Sequence, residues 1–546
     1  MKRIVYIYIK CYRLLDNKFS YIISLIIKGL MATFNVVEVY IFSLLISSIF
    51  VYDKNRFRSY FILAIILIAS QTIFFIIEGN LEIRIRKNTN VSIKKYLIQG
   101  ILSLPPNKSI NYSDGKYINI VMQDSLSPSN FVYLLSDYLI QLIVTIVTGI
   151  IMLRLSLVLS ICSILMFPII TIINNHFGAK IKTGKKIVAK ENDDYMTFLE
   201  QILSSSTEIT VNKYQDILLP ENEKLMEQIK KDDMQLDILQ VIIKNVCNLL
   251  NNIHTIVIVG IGGIFVFLDK LNAAAFYSFC SYAVKFNKSI VGFSSFNIDM
   301  QQILISVSRV LGLLDEIEKI KNVNNTKLRM PEECYKLTVK NAALAFGEKQ
   351  LFDQINISLH KGEQLIISGN NGTGKTSILK MISDIYAPTS GTIEFNGKDI
   401  NNYRYDDVVK NITFIFQKPI IYPLKVIDNL RMGNKASDDE IVELCKFFDL
   451  HEDIMALPDG YDTVVNKFVA LSSGQEKKIQ VIRQILAKTP IILLDEPLTC
   501  LDKKSQRRLQ EYIKQQKEQY ITIVVSHVPL VLDDVKNFDL ANKILY

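Results

Sequence analysis

Hydrophobic positions divide this 546-residue chain in two. Before about residue 310 they run in long blocks; after it they come as short apolar runs separated by polar turns and amphipathic stretches. Six blocks, at roughly 21–50, 59–79, 131–153, 157–177, 241–267 and 272–303, reach the length needed to cross a hydrocarbon core, about 20 mostly apolar residues. Buried helices of a water-soluble domain give runs of about ten to fourteen, so the pattern predicts six membrane-spanning helices.

Basic residues orient these helices. The N-terminal segment, residues 82–108 and residues 180–190 are rich in Lys and Arg and fall on one side if six spans alternate, which makes that side cytosolic. "YDKNRFRS" at 52–59 runs against the rule with three basic residues in an external loop. External links are brief, whereas two cytosolic stretches run about 50 to 60 residues, so the flanking spans are expected to continue as long helices with a turn at the tip. Residues 111–124 and 198–214 are the candidate tips. Within the spans, Lys244, Asn248, Asn251 and Thr255 recur at offsets that share one helix face, Lys285 and Lys288 lie three apart, and Glu38 sits well inside the first block. An ionisable side chain facing lipid costs several kcal/mol, so these are expected to face the bundle or a water-filled cavity.

Composition follows from this division. Hydrophobic residues make up 49% and charged residues 21%, because the two are segregated along the chain. The net charge of +8 lies largely beside hydrophobic runs, which points to lipid headgroups as partners, and no compact basic block with interleaved aromatics speaks for nucleic acid. The seven cysteines are isolated, which excludes a disulfide framework or a Cys-x-x-Cys zinc site. No small-residue cleavage site follows a short apolar run at the N-terminus, so the first hydrophobic stretch is expected to stay in the protein.

The second half carries chemistry. "QLIISGNNGTGKTSILKMI" sets a buried strand (364–368), a glycine-rich turn and a helix in succession. Gly369, Asn370, Asn371, Gly372, Thr373, Gly374, Lys375 and Thr376 fit G-x-x-x-x-G-K-[ST], with Ser377 following. Glycines let backbone N–H groups approach phosphate oxygens, Lys375 is placed for the β- and γ-phosphates, and Thr376 for magnesium. At 491–496, "IILLDE" makes a buried strand ending in two carboxylates: Asp495 suits magnesium held through water, and Glu496 suits polarising a water that attacks the γ-phosphate. "ITIVVSH" repeats the plan and ends on His527, at a strand carboxyl end where open α/β sheets bind ligands.

"GNNGTGKTS", "FIFQKP", "LSSGQ", "IILLDEP", "LTCLD" and "SH" occur in the order and approximate spacing of the ATP-binding cassette family, and with six spans ahead of one cassette the chain resembles an exporter-type half-transporter. The resemblance implies an α-helical six-span membrane domain (1–315), a linker (316–334) and an α/β P-loop NTPase domain of the ABC type (335–546), with ATP and Mg2+ as cofactors. Carried over by position, Phe346 matches the aromatic that stacks on adenine, and Gln417 the glutamine that senses magnesium and the attacking water. Asp502 matches the aspartate that contacts the facing subunit, and His527 the switch histidine on the γ-phosphate. Ser472, Ser473, Gly474 and Gln475 match the signature turn, which covers the ATP held by another cassette. The resemblance therefore implies a second half-transporter, identical or not, and identifies residues 111–124 and 198–214 with the family's coupling tips.

Three positions depart from the family. Ser473 stands where the signature has glycine, and Asn466 and Phe468 stand where exporters carry a glutamate and a glycine that contact the coupling tips. The chain ends soon after His527, and no extra domain precedes the first span, so it is not expected to cleave a leader from its cargo. The expected function is ATP-driven export of a peptide, lipid or drug-like substrate, peptide mildly favoured, across a bacterial cell membrane with N-terminus and cassette in the cytoplasm. The alternatives are a nucleotide-gated sensor subunit and one half of a heterodimeric exporter with unequal ATP sites.

Overall fold

The computed structural model describes residues 2–109, 114–331, 333–347, 349–370, 372–466, 471–527, 535–540 and 544–545. The chain forms two compact units, Met1–Ile98 with Gly115–Leu314, and Gln99–Asp114 with Asp315–Tyr546.

In the first unit the apolar blocks become the long helices α1 (Lys18–Phe50), α2 (Lys54–Leu102), α3 (Ser127–Leu155), α4 (Leu157–Ser204), α5 (Gln215–Phe267) and α6 (Ala273–Thr326). Among the described residues four helical stretches are long and apolar enough to cross a membrane: Lys18–Phe50, Lys54–Leu102, Tyr117–Leu155 and Gln215–Phe267. The predicted spans at 157–177 and 272–303 fall on α4 and α6, where some side chains lie outside the described residues. In α2 the most apolar window has a mean hydropathy of 2.5 yet only 6% of it is buried in the protein, so that surface requires an apolar solvent. With 53 residues at about 1.5 Å each, α5 is about 80 Å long, well over the about 30 Å of a hydrocarbon core. As the sequence predicts, the helices run far beyond the membrane. There α4 and α5 pair closely: Lys185 Nζ lies 2.7 Å from Asp233 and 2.9 Å from Asp237, and a Cβ on Gly184 would strike the Leu236 side chain.

Two groups of ionisable residues in the spans are paired. Lys285 donates to the Asn35 carbonyl and pairs with Glu38 at 3.1 Å. Lys28, which hydropathy had hidden inside the first block, sits 2.6 Å from Asp137, 2.8 Å from Glu82 and 3.5 Å from Glu78. Lys244, Asn248, Thr255 and Lys288 are exposed on the chain's surface.

The second unit contains β1 (Lys336–Phe346), β2 (Lys349–His360), β3 (Gln364–Ser368), β4 (Ser390–Phe395), β5 (Lys398–Asp399), β6 (Ile412–Ile415), β7 (Ile491–Asp495), β8 (Ile521–Val525), β9 (Lys536–Asp539) and β10 (Ile544–Leu545). An antiparallel sheet has the order β2-β1-β4-β5, and a second sheet β10-β9-β3-β8-β7-β6. In the latter, β3 runs parallel to both β8 and β9, and β7 parallel to β8 and β6. The continuous apolar runs at 364–368, 491–495 and 521–525 are what a parallel sheet covered on both faces demands. Between the sheets lies a core including Leu365, Ile367, Ile393, Leu493 and Ile523. Helices α7 (Lys375–Ile382), α8 (Ser473–Leu486) and α9 (Lys503–Gln515) complete the frame of the site.

Residues Gln99–Asp114 pack with this unit, and Asn107 Nδ2 donates to Asp384 Oδ1 at 2.8 Å. The contact is made a few residues before the predicted tip at 111–124, of which 111–113 lie outside the described residues. The second predicted tip, 198–214, holds the end of α4, a short helix Ser206–Val211 and a turn at Lys213 with φ +57°. Burial pushes the Asp384 carboxyl above its usual range, partly offset by the Asn107 amide, and its φ is +57°. A carboxyl with a raised folded pKa takes up protons more readily folded than unfolded, so it subtracts stability as pH climbs through that interval, and the loss is complete above the folded value. Asp384→Asn removes the charge, keeps the acceptor and suits a left-handed backbone. The thermal midpoint of the variant is expected to rise at pH 7, and the gain to shrink as the pH falls towards 4; equal midpoints at both pH values would count against a buried charge here.

Candidate functional site

The phosphate loop begins where β3 ends in the middle of the parallel sheet. Gly369, Gly372 and Gly374 have φ of 148°, 81° and 99°, conformations closed to most side chains, and a Cβ on Gly374 would come within 3.1 Å of the Phe352 ring. This bend returns the chain so that Lys375 Nζ donates to the carbonyls of Gly369 at 2.7 Å and Asn370 at 2.9 Å, inside its own loop. Thr373 closes the turn on Asn370 O, and Ser377 lies in the first turn of α7. Asn371 is outside the described residues. Phe346 is half exposed at the end of β1, edge-on to Tyr386 with centroids 5.0 Å apart. Tyr386 carried no motif signal, and only the fold brings it to that ring.

The carboxyl end of β7 lies one strand beyond β8 from the loop. Thr376 Oγ1 donates to Asp495 Oδ1 at 3.0 Å. Asp495 is 3% exposed, and burial pushes its carboxyl above the usual range, with the Thr376 hydroxyl opposing the rise and Glu496 adding to it. Two hard oxygen donors converging on a charge-poor spot fit magnesium, which takes one or two protein oxygens and completes its shell with water and phosphate. Consistently, no cluster of three or more His, Cys, Asp or Glu occurs among the described residues.

Glu496 is buried and held at φ +50°, unusual for a residue with a side chain. Its backbone is pinned on both sides: its N–H donates to Val525 O at 2.9 Å, and its carbonyl accepts the Thr499 hydroxyl at 2.7 Å. This aims the carboxylate at His527, whose Nε2 lies 3.3 Å from Oε1 and whose backbone N–H reaches Oε2 at 3.4 Å. Glu496 and His527, 31 residues apart in sequence, thus form one unit.

The turn at 471–475 is elsewhere. Ser472 caps α8 and Gln475 closes a capping box, Ser472 Oγ accepting from Gln475 N at 3.3 Å and Gln475 Oε1 from Ser472 N at 2.9 Å. Among the described residues no hydrogen bond joins this turn to the phosphate loop of its own chain. Ser473 is the first helical residue and is exposed. At Gly474 a Cβ would lie 3.1 Å from the Cys500 carbonyl, a tight approach. Ser473→Gly is expected to leave ATPase turnover within about twofold, whereas Gly474→Ala is expected to lower it by about tenfold by shifting the backbone before Asp502; steady-state rates of the two purified variants decide between them. Asp502 caps α9 through Ser505 and pairs with Lys478 at 3.3 Å, and these hydrogen bonds hold its carboxyl well below the usual range. Asn466 is described, and Phe468 lies outside the described residues.

Gln417 follows β6 with its side chain exposed. Its backbone is strapped from behind: Lys477 Nζ donates to Phe416 O at 2.9 Å and Gln417 O at 3.2 Å. Lys477 is fully buried, which pulls its ammonium down to about 8, while Cys500, Asp495 and Glu496 favour its charge. Arg483, two turns on, holds the same segment through Asn429 O at 2.7 Å and Ile420 O at 3.0 Å. The double lysine after the signature was the available signal for Lys477; its burial was not visible in it.

A glycine cradle with a lysine, a threonine-aspartate pair and a glutamate-histidine pair at the edge of one parallel sheet define a P-loop nucleotide-binding domain, fused here to a membrane-spanning helical domain. Two family models match the chain, the ABC transporter transmembrane region over residues 19–290 and the ABC transporter domain over residues 352–499. The chain belongs to the ABC transporter family, in the fused half-transporter form of its exporters. A probable ABC transporter ATP-binding/permease protein of Haemophilus influenzae is 31% identical over 278 residues, half of each chain. An ATP-dependent lipid A-core flippase of Syntrophus aciditrophicus is 24% identical over 70% of this chain and 63% of its own. An ABC transporter ATP-binding protein of Bacillus subtilis is 23% identical over 85% of this chain and 77% of its own. The match thus spans about half the length of the Haemophilus relative and under two thirds of the flippase.

Proposed function

We propose that the protein is one half of an ATP-driven exporter in a bacterial plasma membrane, with its N-terminus and cassette in the cytoplasm. The observation that carries this reading is the Glu496–His527 unit beside the Thr376–Asp495 pair, a complete set of hydrolytic side chains in a chain that also crosses a membrane. The residues that would hold MgATP are the loop 369–376 with Ser377, Phe346 against the base, and Thr376, Asp495 and Gln417 at the metal; magnesium would supply charge neutralisation at the β- and γ-phosphates. Glu496 would accept the proton of the attacking water, and His527, fixed by Glu496, would donate to the γ-phosphate. Among the described residues no hydrogen bond joins the Ser472–Gln475 turn to its own loop, which favours a second half-transporter, a copy of this chain or a partner, to close each site. Intact hydrolytic pairs speak against a sensor that binds ATP without turnover.

Cargo of peptide, lipid or drug-like chemistry suits the family. Of the three span lysines behind the mild preference for peptide, Lys285 is paired with Glu38, while Lys244 and Lys288 are exposed and still support it. The test is ATP hydrolysis by the chain in proteoliposomes, with its mass in detergent. Turnover by a dimer of this chain alone supports the reading and removes the need for a partner; no turnover by any dimer that forms defeats it.

A further inference from the structure

Lys477 is fully buried in the cassette, on a helix whose Ile479, Val481 and Ile482 belong to a hydrophobic cluster with Val426 and Leu494. Removing an ammonium from water costs several kcal/mol unless the protein replaces its hydration. Among the described residues Lys477 has no ion-pair partner within 4 Å. Two of its three N–H groups go to main-chain carbonyls, those of Phe416 and Gln417. It stands on α8, five residues beyond the Ser472 cap and two beyond the Gln475 capping-box residue. One rigid helix therefore carries, at its N-terminus, the turn meant for an ATP held by another subunit, and a turn later the cation that grips Gln417, which serves this chain's own ATP.

The grip is on backbone, and that matters. Gln417 lies just past β6, which ends at Ile415, and its side chain is free of hydrogen bonds to other described side chains. Its approach to a metal and a water is then set by where its main chain is held. Any displacement of the Ser472–Gln475 turn moves Lys477 with it and so moves Gln417. Arg483 makes the attachment stiff by holding Ile420 and Asn429 further along the same segment.

We propose that Lys477 is a positioning residue that makes the two ATP sites of the assembled transporter depend on each other, by fixing Gln417 of one site to the signature turn of the other. This rests on the exporter reading above. Hydrogen bonds from a charged donor contribute about 1.5–3 kcal/mol, so their loss corresponds to a roughly tenfold or greater change in a rate that needs Gln417 in place. ATP affinity, set by the phosphate loop and Phe346, should change little.

The experiment compares wild type, Lys477→Met, Lys477→Arg and Lys477→Gln in the full-length, reconstituted protein. Turnover is normalised to sites that bind a fluorescent ATP analogue, so that a variant that merely folds less does not score. Lys477→Met, close in volume and without a donor, is expected to lower kcat per site by about tenfold with KM for ATP within about twofold, and to bring the Hill coefficient for ATP down to one. Lys477→Arg should restore both. If Lys477→Met does not fold, Lys477→Gln, with one shortened donor group, is expected to show the same split to a smaller degree. A wild-type Hill coefficient of one, a Lys477→Met protein with wild-type kcat and cooperativity, or a Lys477→Arg protein as slow as Lys477→Met would overturn the proposal. A wild type without turnover above Glu496→Gln overturns the exporter reading itself, a result distinct from these.

Discussion

Glu496→Gln is expected to stop turnover while leaving ATP bound. The substitution keeps the shape of the side chain and an acceptor for the His527 N–H at 3.4 Å, but it removes the carboxylate proposed to take a proton from water. General-base catalysis contributes about a hundredfold to ten-thousandfold, so kcat should fall by at least about a hundredfold. Lys375 and the loop from Gly369 are untouched, since they are held by their own bonds to Gly369 O and Asn370 O. Single-turnover hydrolysis and binding of a fluorescent nucleotide measure the two separately. Hydrolysis within tenfold of wild type would mean that another group is the base, and His527 would be the next to test.

Lys28→Met is expected to cause a large loss of stability in the membrane unit. Three carboxylates, Asp137, Glu82 and Glu78, lie within 3.5 Å of the Lys28 ammonium, and Glu78 is only 7% exposed. Arg86 still pairs with Glu82 at 2.8 Å, and Ser24 still donates to Glu78 at 3.0 Å, but neither replaces a cation shared by all three. Breaking a buried pair from one side costs about 3–5 kcal/mol, because the opposite charge stays behind in a poor solvent. The detergent-purified variant should melt roughly 10 °C lower. Lys28→Arg should recover most of that loss, and a Met variant as stable as wild type would show that the acids are already hydrated.

How much of this was legible beforehand differs between the halves. In the cassette the buried strands 364–368, 491–495 and 521–525 could be read almost to the residue, because a parallel sheet covered on both faces needs unbroken apolar runs and ligand-bearing residues must come at their carboxyl ends. The membrane half was legible as blocks but not as partners. Hydropathy averages a window, so one lysine in an apolar stretch leaves little trace, and Lys28 went unnoticed while Lys244 and Lys288, which are exposed, stood out by their spacing. The Asn107–Asp384 bond was likewise not visible, since its two residues are 277 apart in sequence.

Sequence alone determined the order of the two halves and the phosphate-loop motif, because these depend on residue type at short, fixed spacings; the hydrolytic role of Glu496 and a second signature turn are what the family resemblance implies. Tertiary structure decided what depends on distant residues meeting. It joined Glu496 to His527 and Thr376 to Asp495, set Lys28 among three acids, and put Lys477 behind Gln417. It also showed a constraint at Gly474 that the sequence did not, since only the packed fold brings the Cys500 carbonyl to 3.1 Å from where a side chain would begin.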